Sequence, residues 1–136
     1  MSGQEDGIAM TWSSFTNSPL GIHSPIALWI AGNDQALVSD MSCLLAIVGA
    51  RAATSYGEHV AAELSSELAG GGVNIVSGGA YGIDGAAHRG AIASRPEGTI
   101  AILASGLHRL YPAGNAHLFE RIITSGGALV SELPPG

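Results

Sequence analysis

Val73-Asn74-Ile75-Val76-Ser77-Gly78-Gly79-Ala80-Tyr81-Gly82-Ile83-Asp84 joins an apolar strand, a glycine turn and the start of a helix, and its neighbours repeat that unit. Upstream, Leu44–Val48 is a continuous apolar run, as expected of a strand buried on both faces, and it ends in Gly49-Ala50-Arg51. Ser55-x-x-Glu58 has the form of a capping box, opening a helix that ends at Gly70-Gly71-Gly72. Val60, Ala61, Leu64 and Leu68 fall on one face of that helix and are its expected buried side. Downstream of Asp84 a helix runs to about Ala93, Thr99–Ala104 is a third strand, and Ser105–Gly114 is a longer loop. Asn115 is placed to cap a helix whose stripe is Leu118, Phe119, Ile122 and Ile123, before Gly126-Gly127 ends it and Ala128–Val130 forms a fourth strand. Strands alternating with helices at this spacing imply right-handed crossovers. The expected fold is α/β: a Rossmann-like, doubly wound, mainly parallel sheet with helices on both faces. The alternation reads as unfinished at Gly136, which makes the core a partial one.

The 136 residues suit one domain. Residues 25–136 are assigned to the α/β core. Residues 1–24 mix Ser, Thr, Asn and Gly without a sustained period and read as an irregular lead-in, with Trp12 and Phe15 as candidates to dock on the core. Ala27–Ala31 is a further short strand, ended by Gly32-Asn33-Asp34.

Charged residues make up only 12% of the chain and hydrophobic ones 46%, which excludes intrinsic disorder for its bulk. There is no lysine, so neither a Walker-type phosphate loop nor Schiff-base chemistry is available. Five arginines against 11 acids give a net charge of −6, an unpromising balance for a general nucleic-acid binder. The acids are unevenly spread: residues 1–40 carry four and no base, while residues 41–136 carry seven alongside all five arginines. The lone Cys43 reads as a small buried hydrophobe. No unbroken apolar run, Cys43–Val48 included, exceeds six residues, and the amino terminus has no basic segment. Neither a secretory signal nor a membrane span is expected, and the chain reads as cytoplasmic.

In sheets of this kind ligands bind beyond the carboxyl ends of the strands, where helix N-termini present backbone N–H groups. The strand ends here are Gly49-Ala50-Arg51, Ser77-Gly78-Gly79, Ser105-Gly106 and Ser131-Glu132. The central turn departs from the dinucleotide fingerprint, which would place glycine at Ala80 and Ile83, and no acid ends the next strand to hold a ribose. A nicotinamide or flavin is therefore disfavoured, and no cofactor is expected. What remains is a glycine turn at a helix start, a generic anion cradle. Asp84 and His88 are spaced i, i+4 near Ser77, but without a Gly-x-Ser-x-Gly elbow a hydrolytic triad is a weak reading. The five histidines, His23, His59, His88, His108 and His117, lack metal-ligand spacing, so no metal site is expected. The loop Gly106-Leu107-His108-Arg109-Leu110-Tyr111-Pro112 sets an arginine for phosphate beside an aromatic ring that can stack on a base or anchor the loop.

Ala46-Ile47-Val48-Gly49-Ala50-Arg51, Tyr56-Gly57, Ser77–Asp84, His88, Gly106, Tyr111-Pro112-x-x-Asn115 and Ser131-Glu132, in this order, resemble the DprA/Smf family of DNA-processing proteins. The resemblance runs from about Pro25 to Gly136. It implies a non-enzymatic role in DNA uptake and recombination during natural transformation: binding single-stranded DNA, helping to load a RecA-type recombinase, and acting as a homodimer. It also implies DNA-phosphate contacts at Gly49, Arg51, Ser77, Gly78 and Gly79, with Gly82 lining the same site and Gly106, Arg109, Tyr111 and Asn115 joining from the neighbouring loop. The family pattern continues beyond Pro-Pro-Gly with a Phe-Pro-x-Arg-Asn-Arg segment, many members carry an amino-terminal helical domain, and lysines commonly line the family's DNA groove. None of these has a counterpart here. The alternative is a nucleotide-binding or nucleotide-processing enzyme of the related Rossmann-like superfamily, although Ser77-Gly78-Gly79 lacks that group's threonine and catalytic glutamate.

Overall fold

The computed structural model describes residues 2–5, 8–13, 25–38 and 40–135, with backbone alone for 2–5, 8–13, 38 and 41. The repeated units form four parallel strands: β4 (Leu44–Ala46), β5 (Asn74–Ser77), β6 (Thr99–Leu103) and β7 (Ala128–Ser131). They are linked by α1 (Ser55–Gly70), α2 (Ile83–Ser94) and α3 (Ala116–Thr124). The hydrogen-bonded order is β1-β2-β3-β7-β6-β5-β4, where β1 (Ser2–Glu5), β2 (Ile8–Ser13) and β3 (Leu28–Gly32) extend the sheet antiparallel from β7.

Neighbours in sequence are neighbours in the parallel half of the sheet, so successive right-handed crossovers carry all three α-helices to one face. Side-chain alternation bears this out. Ala101, Leu103 and Leu129 pack with Leu118, Phe119 and Ile122, and Ile75 packs with Ala69, Ala87 and Ala91. The opposite-pointing Ile30, Ile100, Ala128 and Val130 pack instead under Ala36 and Leu37 of a 3-10 helix at Asp34–Val38. Helical elements thus lie on both faces of the α/β sheet, as expected, while the sheet itself is mixed: the pairings among β4, β5, β6 and β7 are parallel, and those linking β1, β2, β3 and β7 are antiparallel.

Four local expectations are corrected. The stretch 1–24, read as an irregular lead-in, contributes β1 and β2. Glu5 pairs with Ile8 across Asp6-Gly7, a dipeptide that is itself a hairpin signal, and Ile8-Ala9-Met10-Thr11-Trp12-Ser13 alternates with period two. Phe15 lies outside the described residues, and Trp12 is described by its backbone only, in register with Trp29. Helix α1 is capped by Thr54 rather than Ser55, its hydroxyl accepting from the Gly57 amide at 3.1 Å. Its inward face is Ala61, Ser65 and Ala69, while Val60 and Leu64 remain 40% and 46% exposed. The small side chains win that face because α1 and α2 touch backbone to backbone: a Cβ at Gly90 would fall against the Ala62 carbonyl. Cys43, read as buried, is exposed, on a 3-10 turn that precedes the outermost strand, where no neighbouring strand covers it. Among the described residues no helix is long and apolar enough to cross a membrane.

Candidate functional site

The carboxyl ends of β4, β5 and β6 deliver three loops to one edge of the sheet. They enclose a cavity of about 210 Å³ lined by Arg51 from the first loop, Gly78, Gly79, Ala80, Tyr81 and Asp84 from the second, and Ser105, Tyr111 and Pro112 from the third. A hollow of about 530 Å³ adjoins it, shares Ser105 and Tyr111, and adds Gly106, His108 and Arg109. Arg51 and Arg109 are exposed, and among the described residues neither takes part in an ion pair. Tyr81 and Tyr111 are 50% and 66% exposed, so each presents a ring to solvent at the rim. Both rings thus stand free of the core, and the anchoring role considered for Tyr111 is not the one adopted.

Glycine makes the two inner loops possible. Gly79 lies directly on the core: a Cβ there would meet Leu103 Cδ2 at 2.6 Å and Phe119 Cζ at 2.7 Å. Gly82 has φ +75°, and a side chain would strike the backbone carbonyls of Ala50 and Arg51. That contact locks the Arg51 loop to the start of α2, and the Ile83 amide adds a hydrogen bond to the Ala50 carbonyl at 3.2 Å. Gly82 is therefore buried between the loops rather than facing the cavity.

Polar side chains brace the turn from beneath. The Ser77 hydroxyl, buried, donates to the Ile47 carbonyl at 2.5 Å and ties β5 to β4. The Asp84 carboxylate accepts from the Gly49 amide at 3.4 Å. Asn115 occupies the residue before α3 but makes no capping bond with its side chain. Its Nδ2 instead donates to the carbonyls of Gly79 and Ala80, at 2.9 and 3.1 Å. His88 is 0% exposed, with Nε2 2.7 Å from the Gly78 carbonyl and Nδ1 2.7 Å from the Thr99 hydroxyl. Burial pushes its pKa down to about 4, outweighing the Gly78 carbonyl and the Asp84 carboxylate, which favour the charged ring; Arg89 opposes it further. Ser77, Asp84 and His88 are each committed to other partners, so they form no nucleophile–base–acid chain.

Of the expected phosphate contacts, Arg51, Gly78, Gly79 and Tyr111 come together around the cavity, and Gly106 and Arg109 around the adjoining hollow. Ser77, Gly82 and Asn115 are buried behind the surface and shape it, while Gly49 is exposed but lines neither hollow. The Ser77 hydroxyl and the Asn115 side-chain amide both donate to carbonyls of the scaffold. Tyr81 and Ser105 line the cavity but were not singled out from sequence. The available signal for Tyr81 was a large aromatic inside a glycine turn. Its hydroxyl lies over Gly114, where a Cβ would be 2.5 Å away. Replacing Asn115 by alanine is expected to destabilise the protein by about 1–3 kcal/mol, because two carbonyls lose their donor. A urea midpoint equal to that of the unmodified protein would contradict this role.

Comparison with known proteins bears on the family and the fold. A 53% identical relative over 115 residues is a DNA processing protein DprA of Mycobacterium tuberculosis, the match covering 84% of this chain and 28% of that protein. The Smf protein of Escherichia coli is 43% identical over 110 residues, covering 81% of this chain and 28% of its own length. The chain thus spans about three-tenths of these relatives. Among solved structures, DNA processing protein A of Helicobacter pylori, studied for its single-stranded DNA binding mode, superposes with a TM-score of 0.74 at 30% identity, over 91% of this chain and 56% of that one. The Streptococcus pneumoniae DprA structure gives 0.70 at 32% identity, over 82% and 38%. With residues 14–136 matching the family described as DNA recombination-mediator protein A, the chain belongs to that family.

Proposed function

We propose that this chain is a single-stranded DNA-binding module of DNA uptake and recombination, holding the sugar-phosphate backbone at the carboxyl edge of β4–β6. The observation that carries the reading is the convergence, around one cavity, of the exposed Arg51, the glycine turn at residues 78–80 and the rims of Tyr81 and Tyr111. Arginine and backbone amides suit phosphate, while exposed aromatic rings suit unstacked bases without reading their identity. The Helicobacter pylori neighbour, characterised for binding single-stranded DNA, supports the same ligand. In this reading the chain acts by binding rather than catalysis, in the cytoplasm, as a homodimer that delivers DNA to a RecA-type recombinase. The locked Ser77 hydroxyl and the buried His88 support the non-enzymatic part.

Fluorescence anisotropy with a labelled single-stranded oligonucleotide tests the site. Arg51→Ala is expected to weaken binding about 5- to 10-fold irrespective of sequence, because one charge-assisted phosphate contact is lost. With Arg51 and Arg109 each neutralising one phosphate, the log–log salt slope is expected near −1.4, falling to about −0.7 in the variant. Unchanged affinity in Arg51→Ala would remove the site from this edge.

A further inference from the structure

We propose that His88 is the positioning residue of the glycine turn, fixing the peptide planes so that three consecutive amides face the ligand; the ligand assignment rests on the reading above. A trans peptide points its C=O and N–H in opposite directions. The Gly78 carbonyl is held by His88, and the carbonyls of Gly79 and Ala80 by Asn115. The amides that share those three peptide planes belong to Gly79, Ala80 and Tyr81. They point away from His88 and Asn115, all three residues line the cavity, and among the described residues none of these amides donates a hydrogen bond. Three adjacent N–H groups left without a protein partner beside the cavity can serve the non-bridging oxygens of a phosphodiester.

The chemistry of the imidazole decides how the first plane is set. A carbonyl only accepts, so the 2.7 Å contact to Gly78 requires a proton on Nε2. In the neutral ring Nδ1 is then bare and accepts the Thr99 hydroxyl proton across 2.7 Å. That hydroxyl also lies 3.0 Å from the Ile75 carbonyl, but its single proton serves one partner at a time. The Gly78 carbonyl, which can only accept, thereby selects the Nε2–H tautomer, and the Thr99 hydroxyl helps to fix the orientation of the ring. The charged groups acting on the ring are Asp84 and Arg89, both on α2; its partners on β6 and in the turn, Thr99 and the Gly78 carbonyl, are neutral.

Nitrogen-15 NMR of the full chain at neutral pH reads the tautomer without any DNA: a protonated Nε2 and bare Nδ1 are expected for His88, and the reverse assignment would overturn the proposal. In the binding arm, His88→Leu is expected to bind a labelled single-stranded oligonucleotide about 10-fold more weakly, and His88→Gln, which keeps a donor, within about 3-fold of the unmodified protein. All three are compared well below the lowest unfolding midpoint, so that loss of fold does not mimic loss of the site. A leucine variant that binds as tightly as the unmodified protein overturns the proposal. If it fails to fold, the tautomer and the amide shifts of Gly79, Ala80 and Tyr81 on titration with inorganic phosphate decide it alone. Shifts at those amides support the proposal, and their absence overturns it. Should the unmodified protein ignore single-stranded DNA, the DNA reading fails, while the tautomer and phosphate titrations still judge His88.

Discussion

Gly90→Ala is expected to lower the stability of this protein by up to about 2 kcal/mol, although alanine is the better helix former. Two effects of opposite sign meet at this position. In a helix interior, alanine gains about 1 kcal/mol over glycine from reduced backbone freedom in the unfolded chain. Against that, a Cβ on Gly90 would penetrate the backbone of α1, lying 2.7 Å from both the carbonyl carbon and the Cα of Ala62 and closer still to the carbonyl oxygen. Backbone cannot turn aside as a side chain does, so the two helices must separate and loosen the contacts of Ala61, Ser65 and Ala69 with α2. Overpacking typically costs about 1–3 kcal/mol and more where the neighbour is rigid, so it outweighs the propensity gain. Urea denaturation separates the two: a lower midpoint follows from helix contact, and a raised one would show that propensity dominates.

Acid should cost the fold about 3 kcal/mol between pH 6.5 and pH 4, through His88 alone. The ring is 0% exposed, and burial holds its folded-state pKa near 4 against an ordinary value of 6.5. A depressed pKa means that the unfolded chain binds this proton more tightly, so stability rises with pH across that window. The contribution is complete above about pH 6.5, shrinks as the pH falls, and is gone below about pH 4. A shift of this size corresponds to about 3 kcal/mol. Asp84 favours the charged ring and Arg89 disfavours it, yet desolvation is the largest influence. Urea midpoints at pH 7, 5.5 and 4.5 should fall steadily for the unmodified protein and follow a flatter course for His88→Gln. Parallel pH profiles for the two proteins would show that carboxylates elsewhere carry the acid sensitivity.

Both predictions depend on residues whose importance is hard to see in one dimension. The heavy apolar positions of α1 suggested an inward face of Val60, Ala61, Leu64 and Leu68, yet the helix turns its small residues inward because Gly90 lets α2 come close. His88 was visible as the partner of Asp84 one helical turn earlier; its working partners are Gly78 in the turn after β5 and Thr99 on β6. The amino-terminal pair of strands was legible and was missed: Asp6-Gly7 followed by period-two alternation carries the signal.

What the sequence by itself determined is the alternation of strand, glycine turn and helix from Leu44 to Ser131, and with it the edge where the loops gather. That much is local, because hydrophobic period and turn chemistry are properties of neighbouring residues. The family was legible on the same grounds, since its motifs are the loops at those strand ends. Tertiary structure alone decided which side each polar group serves. Ser77 reaches Ile47 across 30 residues, Asn115 reaches Gly79 across 36, and Asp84 reaches Gly49 across 35. Until the strands align, nothing in the local pattern says whether a serine or an asparagine at such an edge faces the ligand or the scaffold. Here a buried carbonyl left without a donor costs more than a solvated phosphate contact gains, so both turn inward. Arg51, the two tyrosines and the bare amides of the glycine turn remain at the cavity, beside Asp84 and Ser105.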